Sequence, residues 1–185
     1  MSTRKVQNAA TKGLSSATPS AALPPALKRK SIASLLRLTH RLYSRALLAS
    51  LAEHGITTIV QWWTLRSLWL EDGLTQRELS ERIGLYESAI VGVIDSLVEK
   101  GLLLRVRNRD DRRKINVYLT KPGRTLEKRL IPLADEVNRN AEAGIDPRAR
   151  AALWDMLSAL YINLDTQSPR PAAAVKAVKK LPIPK

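Results

Sequence analysis

The sequence predicts a mainly α fold: a winged helix-turn-helix with long helices on either side and a small wing of two to three strands. Three observations predict it. Residues 74–120 read LTQRELSERIGLYESAIVGVIDSLVEKGLLLRVRNRDDRRKINVYLT, two short helical patterns followed by an apolar strand, a charged loop and a second strand. The loop, Arg107 to Lys114, holds five basic and two acidic residues in eight positions. Apolar residues at helical spacing occupy the flanks, residues 31–56 and 121–164.

The elements follow in order. Residues 1–27 are rich in Ala, Ser, Thr and Pro and have no sustained period, so the tail 1–30 is expected to be disordered. From Ser31, a suitable N-cap, to about Ala52, the apolar residues Ile32, Leu35, Leu36, Leu42, Tyr43, Ala46 and Leu47 fall on one helical face, and Gly55 stops the pattern. A second helix spans about Thr57 to Glu71. It is apolar nearly all round and carries Trp62, Trp63 and Trp69, which suits a helix buried on several sides or lining an interface. Thr75 and Glu78 then form a capping box, with Leu74 and Leu79 as its hydrophobic staple. That helix closes at Gly84.

The next helix runs from about Tyr86 to Lys100, with Ile90, Ile94 and Leu97 inward and Gly101 as its stop. Leu102–Val106 and Ile115–Leu119 are β-branched enough to be the wing strands. Thr120 caps a helix that has Pro122 in its first turn and reaches about Ala143, with a kink expected at Pro132. Asp146-Pro147 opens a last helix to about Leu164, whose apolar face includes Leu153, Met156, Leu157 and Leu160. The Ala/Lys/Pro-rich tail 165–185 is again expected to be disordered.

The charge sits mostly on those tails. Of a net +14, residues 1–30 carry +6, residues 165–185 carry +4, and the middle of the chain only +4. A basic chain suits a polyanion, nucleic acid or anionic membrane, although basic tails also simply solubilise. No run approaches a membrane span, and the N-terminus has no apolar core of a secretory signal, so no membrane partner and a cytoplasmic location are expected. The chain has no Cys and two His, His40 and His54, which removes thiol redox sensing and zinc-finger sites. No metal or other cofactor is expected. No nucleophile–base set or Gly-rich phosphate loop points to an enzyme.

Helix, helix, strand, charged loop, strand is an order suited to holding duplex DNA. If Ile90, Ile94 and Leu97 face inward, Ser88, Ala89, Val91, Gly92 and Ser96 fall on or near the outer side. The reading surface is then Tyr86, Glu87, Ser88, Ala89, Val91 and Gly92. It has no Arg or Asn for a two-bonded base contact. Ser88 and the early backbone N–H groups can hold a phosphate or base edge, Val91 can meet a thymine methyl, and Glu87 can accept from a cytosine N4–H. The wing candidates are Arg107, Arg109, Asp110, Asp111, Arg112, Arg113 and Lys114. Arg109, Arg112 and Arg113 suit a narrow minor groove, with Asp110 or Asp111 holding one guanidinium through a two-bonded pair. Thr75, Arg77 and Lys100 are further phosphate candidates.

These landmarks resemble the MarR family of bacterial transcription regulators over roughly residues 31–164. Gln61-Trp62 with Leu65 and Leu68, Leu74-Thr75-Gln76-x-Glu78-Leu79-x-x-x-Ile83-Gly84, Asp95-x-Leu97-x-x-x-Gly101-Leu102, Asp111-Arg112-Arg113 and Leu119-Thr120-x-x-Gly123 carry the resemblance. The chain departs from the family at Val91-Gly92, where a Thr-Arg pair is common, and at Tyr86, where a capping Asp or Ser is more usual. The resemblance implies a homodimer in which the first and last helices, 31–56 and 121–164, interlock below which the winged segments 57–120 hang. It implies repression at a palindromic operator in double-stranded DNA, relieved by a small-molecule effector, often an aromatic carboxylate. His40, Tyr43, Trp62, Trp63 and Arg66 are the candidates for lining the effector's pocket, with Arg66 pairing a carboxylate and the indoles flanking a ring. An aromatic stripe at helical spacing also suits plain core. The first helix and Ile162-Asn163-Leu164 are similar to the branch linked to aromatic catabolism. An architectural DNA-binding protein without an effector is the alternative that the basic tails leave open.

Overall fold

The computed structural model describes residues 31–109 and 111–167, so the expectations for residues 1–30 and 168–185 and for Asp110 lie outside the described residues. The architecture is mainly helical. Helix α1 (Ile32–Leu51) passes through a short 3-10 turn (Ala52–His54) to α2 (Ile59–Leu70). Strand β1 (Leu74–Thr75) leads into α3 (Gln76–Ile83) and α4 (Glu87–Glu99); β2 (Leu103–Arg107) and β3 (Ile115–Leu119) follow, then α5 (Lys121–Ala141) and α6 (Pro147–Gln167).

Every helix start but that of α4 is fixed by a side chain that accepts an otherwise free N–H. Ser31 accepts from the Ser34 amide at 3.3 Å and Thr120 from the Gly123 amide at 3.1 Å. The Thr75–Glu78 box is complete, with Glu78 Oε2 accepting from the Thr75 amide at 2.8 Å. A second box, Thr58 with Gln61, opens α2 two residues later than the sequence suggested. Asp146 Oδ1 accepts from the Arg148 amide at 2.8 Å, and Pro147 begins α6. Gly84 closes α3 at φ +77°, a left-handed turn that suits glycine. Helix α5 stays continuous through Pro132, and α6 continues to Gln167, past Leu164.

The sheet has the order β1-β3-β2, all antiparallel. β2 and β3 pair from Leu103↔Leu119 to Arg107↔Ile115, and the loop between them is the wing. The third strand comes from ahead of the helix pair. Leu74 pairs with Val117, so the same two residues that begin α3 also anchor it to the wing. Asp72 reinforces this join: its Oδ1 accepts from the Leu119 amide at 2.8 Å, and its Oδ2 pairs with Arg124 at 2.6 Å.

The core lies where α2 meets α3, α4 and the sheet. Leu51, Ile56, Leu65, Leu68, Leu79, Ile90, Ile94, Leu97 and Val117 are fully buried. Trp62 packs edge-on to Trp69, centroids 5.8 Å apart, and the Trp69 indole donates to the Gly123 carbonyl at 3.0 Å. Gly123 is required there, since a Cβ at that position would lie 2.2 Å from the Leu102 carbonyl oxygen. α1 packs along α5 above this core. α6 buries no described residue, and Leu153, Trp154, Met156, Leu157, Tyr161, Ile162 and Leu164 are all exposed on it.

Helical geometry put Ser96 near the outer side of α4, and the structure corrects this. Ser96 lies on the flank packed against α2, where its hydroxyl oxygen accepts from the Gln61 side-chain amide at 3.1 Å. Gln61 is buried, and its Oε1 accepts from the Thr57 and Thr58 amides. Removing the acceptor leaves an amide N–H unpaired in the core, at a cost of about 1–3 kcal/mol. Ser96→Ala is therefore expected to lower the midpoint of urea unfolding by an amount worth at least about 1 kcal/mol. An unmoved midpoint would show that water takes the place of Ser96.

Candidate nucleic-acid interface and adjoining cavity

Helix α4 presents its reading surface because three residues spaced along its other side, Ile90, Ile94 and Leu97, are wholly buried. Tyr86, Glu87, Ser88, Ala89, Val91 and Gly92 are all exposed. Tyr86 is 86% exposed, stands at the N-cap and caps nothing with its side chain, so its ring is available to a partner. Around Gly92 there is nothing within 4 Å of where a Cβ would sit. The surface is low in relief, without a basic side chain of its own.

The basic groups come from the wing. The Asn108 amide donates to the Lys114 carbonyl at 3.0 Å, the Lys114 amide to the Asp111 carbonyl at 2.9 Å, and Asn108 Oδ1 accepts from the Asp111 amide at 2.9 Å. These bonds fold the loop into a hairpin tip. At its base Asn108 Nδ2 donates to Asn116 Oδ1, and Asn116 Nδ2 donates to the Gly73 carbonyl. Arg107, Arg109, Arg112, Arg113 and Lys114 are exposed.

The arginines are not equivalent. Asp111 Oδ1 accepts from both the Arg113 amide and Arg113 Nε, each at 3.1 Å, and Lys114 Nζ stands 4.0 Å from Oδ2. At Asp111 one oxygen thus meets a side-chain and a backbone N–H of the same arginine rather than forming a two-oxygen fork; Asp110, the other candidate for the fork, lies outside the described residues. The Arg113 hydrogen bonds hold the Asp111 carboxyl below its usual pKa. Among the described residues, Arg107, Arg109 and Arg112 take no ion-pair partner.

The remaining phosphate candidates divide similarly. Thr75 spends its hydroxyl on Glu78, both as donor at 2.8 Å and as acceptor at 3.2 Å. Arg77 bonds Glu81 through Nε at 2.9 Å, which raises its pKa, and its side chain stays largely exposed. Lys100 Nζ donates to the Gly55 carbonyl at 2.5 Å, so its charge is drawn to the turn after α1. Sequence reasoning missed Arg105, which reaches from β2 to Asp95 and to the Val91 carbonyl of α4. Ten residues separate Arg105 from Asp95, and no periodicity pairs them.

A cavity of about 440 Å³ lies between α1, α2 and α5. It is within the size range of small-ligand sites. His40, Tyr43, Trp62, Trp63 and Arg66 all line it, and α5 adds Asp135 and Asn138, which the sequence did not suggest. Trp62 is buried while Trp63 is half exposed, their centroids 6.4 Å apart at 60°. Burial raises the Tyr43 pKa, with Glu142 adding to it, so the phenol remains a donor at neutral pH. Arg66 lines the cavity without an ion-pair partner among the described residues. A half-buried guanidinium beside two indoles has the chemistry to pair with an anion and to stack on a ring. Among the described residues no cluster of His, Asp and Glu could hold a metal ion, and no helix is long and apolar enough to cross a membrane.

Comparison with known proteins agrees with this geometry. Residues 57–115, the winged helix-turn-helix up to the start of β3, match the model of the MarR family. The HTH-type transcriptional regulator TtmR of Methylorubrum extorquens is 30% identical over 126 residues, 68% of this chain and 63% of TtmR. The homoprotocatechuate degradative operon repressor of Escherichia coli is 29% identical over 90 residues, 49% of this chain and 60% of the repressor. The chain thus spans about three-fifths of the length of these two curated relatives. Among solved structures, a MarR transcriptional regulator from Methanosarcina mazei superposes with a TM-score of 0.69 at 26% identity, covering 74% of this chain and 98% of that one.

Proposed function

This chain belongs to the MarR family, and on that premise we propose that it is a homodimeric, sequence-specific DNA-binding transcription regulator, a repressor released by a small aromatic acid. The observation that carries the reading is the arrangement at one end of the molecule. An exposed helix face and an exposed arginine hairpin lie side by side, with α4 packed against β2 of the sheet that carries the hairpin. That spacing of a helix and a basic finger fits a major groove and its neighbouring minor groove. The exposed apolar side chains of α6, with Ile32, Leu35, Leu36 and Leu42 of α1, support the dimer. A two-fold pair of reading helices calls for a palindromic operator.

The effector reading rests on the cavity. Arg66 and the Trp62–Trp63 pair offer a carboxylate partner and two ring faces, and Tyr43 offers a phenol donor. One relative is named as repressor of a homoprotocatechuate degradative operon, and homoprotocatechuate is an aromatic acid. A ligand wedged between α1, α2 and α5 changes how α2 carries α4, because Gln61 on α2 bonds Ser96 on α4.

Two measurements test the proposal. Selection from a random duplex pool is expected to return an inverted repeat; coating of all duplexes alike would favour an architectural protein. Hydroxylated benzoates and phenylacetates are expected to quench the indole fluorescence and release DNA. Arg66→Met removes a charge-assisted pair worth about 1.5–3 kcal/mol, which weakens that release about 10- to 100-fold while ligand-free DNA binding is kept. Equal ligand response in Arg66→Met would rule the carboxylate pairing out.

A further inference from the structure

Arg105 occupies the position between the two DNA-facing parts. It lies on β2 two residues before Arg107, where the wing loop begins. Its side chain is 26% exposed, and its Nε is buried without a partner. One terminal nitrogen pairs with Asp95 and the other reaches the Val91 carbonyl at 3.3 Å. Both acceptors belong to the middle of α4, one helical turn apart. Asp95 is half exposed and lies one turn after Val91 on the outward half of the helix, where an unpaired carboxylate would face phosphates.

The geometry points to Arg105 as a positioning residue for DNA reading: a two-point strut that fixes the distance from the reading helix to the wing arginines and masks Asp95. This rests on the DNA-binding reading given above. A planar guanidinium suits the role because its two terminal nitrogens are held in one rigid fork. A lysine can neutralise Asp95 but cannot hold the carboxylate and the helix carbonyl together. The strut therefore sets selectivity, because only a sequence-matched site demands that helix and wing be seated at once. Attraction to an arbitrary duplex needs only the summed charge.

The test compares the full-length chain with Arg105→Lys and Arg105→Met. Three quantities are measured: affinity for a duplex selected from a random pool by the unmodified chain, affinity for a scrambled duplex of equal length, and amide hydrogen exchange of the DNA-free protein. Arg105→Lys, with charge and stem kept, is expected to lose about tenfold or more on the selected duplex and less than about threefold on the scrambled one. Exchange should quicken in residues 91–95 and at the wing in the same variant. Adding Asp95→Asn to Arg105→Met should restore part of the lost affinity by removing the exposed carboxylate.

Equal losses on both duplexes would make Arg105 a direct phosphate contact and overturn the strut. Full selectivity in Arg105→Lys would also overturn it, because one positive charge would then suffice. If the unmodified chain selects no sequence, the regulator reading fails. Exchange then decides for Arg105 alone: unchanged protection in residues 91–95 sinks the strut, and lost protection upholds it.

Discussion

Leu153→Glu with Leu157→Glu is expected to convert the proposed dimer to a monomer and to remove binding to the proposed operator, while the winged core stays folded. Both leucines are exposed on α6, one turn apart, and no described residue of α6 is buried within the chain. Seven large apolar side chains exposed on one helix suit the interface of the proposed dimer. In a two-fold interface each change occurs twice. Four leucine side chains at about 1.5–3 kcal/mol each give about 6–12 kcal/mol of burial lost, before the cost of desolvating four carboxylates. Dimer dissociation should then rise at least about a thousandfold, at about 1.4 kcal/mol per decade. A protein reduced to one half-site also forgoes the gain of linked binding, about 10²–10⁴. Sedimentation velocity and operator titration read both effects. A variant that sediments like the parent would show that α6 does not carry the interface.

Arg109→Ala with Arg112→Ala should give the second large effect, a fall in affinity of about tenfold or more and a flatter salt dependence. Each phosphate neutralised contributes about 0.9 to the slope of log K against log salt, so four arginines per dimer account for a change of about 3–4. These two are chosen because they lie in the loop beyond β2, which ends at Arg107, and have no ion-pair partner among the described residues, whereas Arg113 is already held by Asp111. Removing that pair without changing net charge, by Arg113→Gln with Asp111→Asn, should leave the slope nearly as it was. Unchanged affinity and slope in the Arg109/Arg112 variant would remove the wing from the interface.

Much of this arrangement is written locally and was therefore legible. The Thr75–Glu78 box, Gly84, Gly101 and the Asp146-Pro147 start each act within one helical turn, so each leaves a short-range signature. Ile115–Leu119 alternates as a strand must, and its limits agree with the structure. The cavity residues His40, Tyr43, Trp62, Trp63 and Arg66 could be grouped because they share two helix faces and a family pattern. Their companions Asp135 and Asn138 could not, since only the packing of α5 on α1 brings them there. β1 was missed as a strand because two residues become one only when Leu74 meets Val117, far along the chain. Ser96 was turned the wrong way because a helical wheel gives a flank no neighbour; α2 supplied it.

The sequence by itself determined the order of the elements, their caps, the buried side of α4 and the presence of a basic hairpin, because those depend on backbone and side-chain chemistry within a few residues. The tertiary structure alone decided which charges are spent on distant partners. The Gly55 carbonyl takes Lys100, Asp95 takes Arg105, and Asp72 takes Arg124. The reason is physical: an ion pair or hydrogen bond is set by distance in space, and a folded chain brings together groups whose separation in sequence carries no record of it.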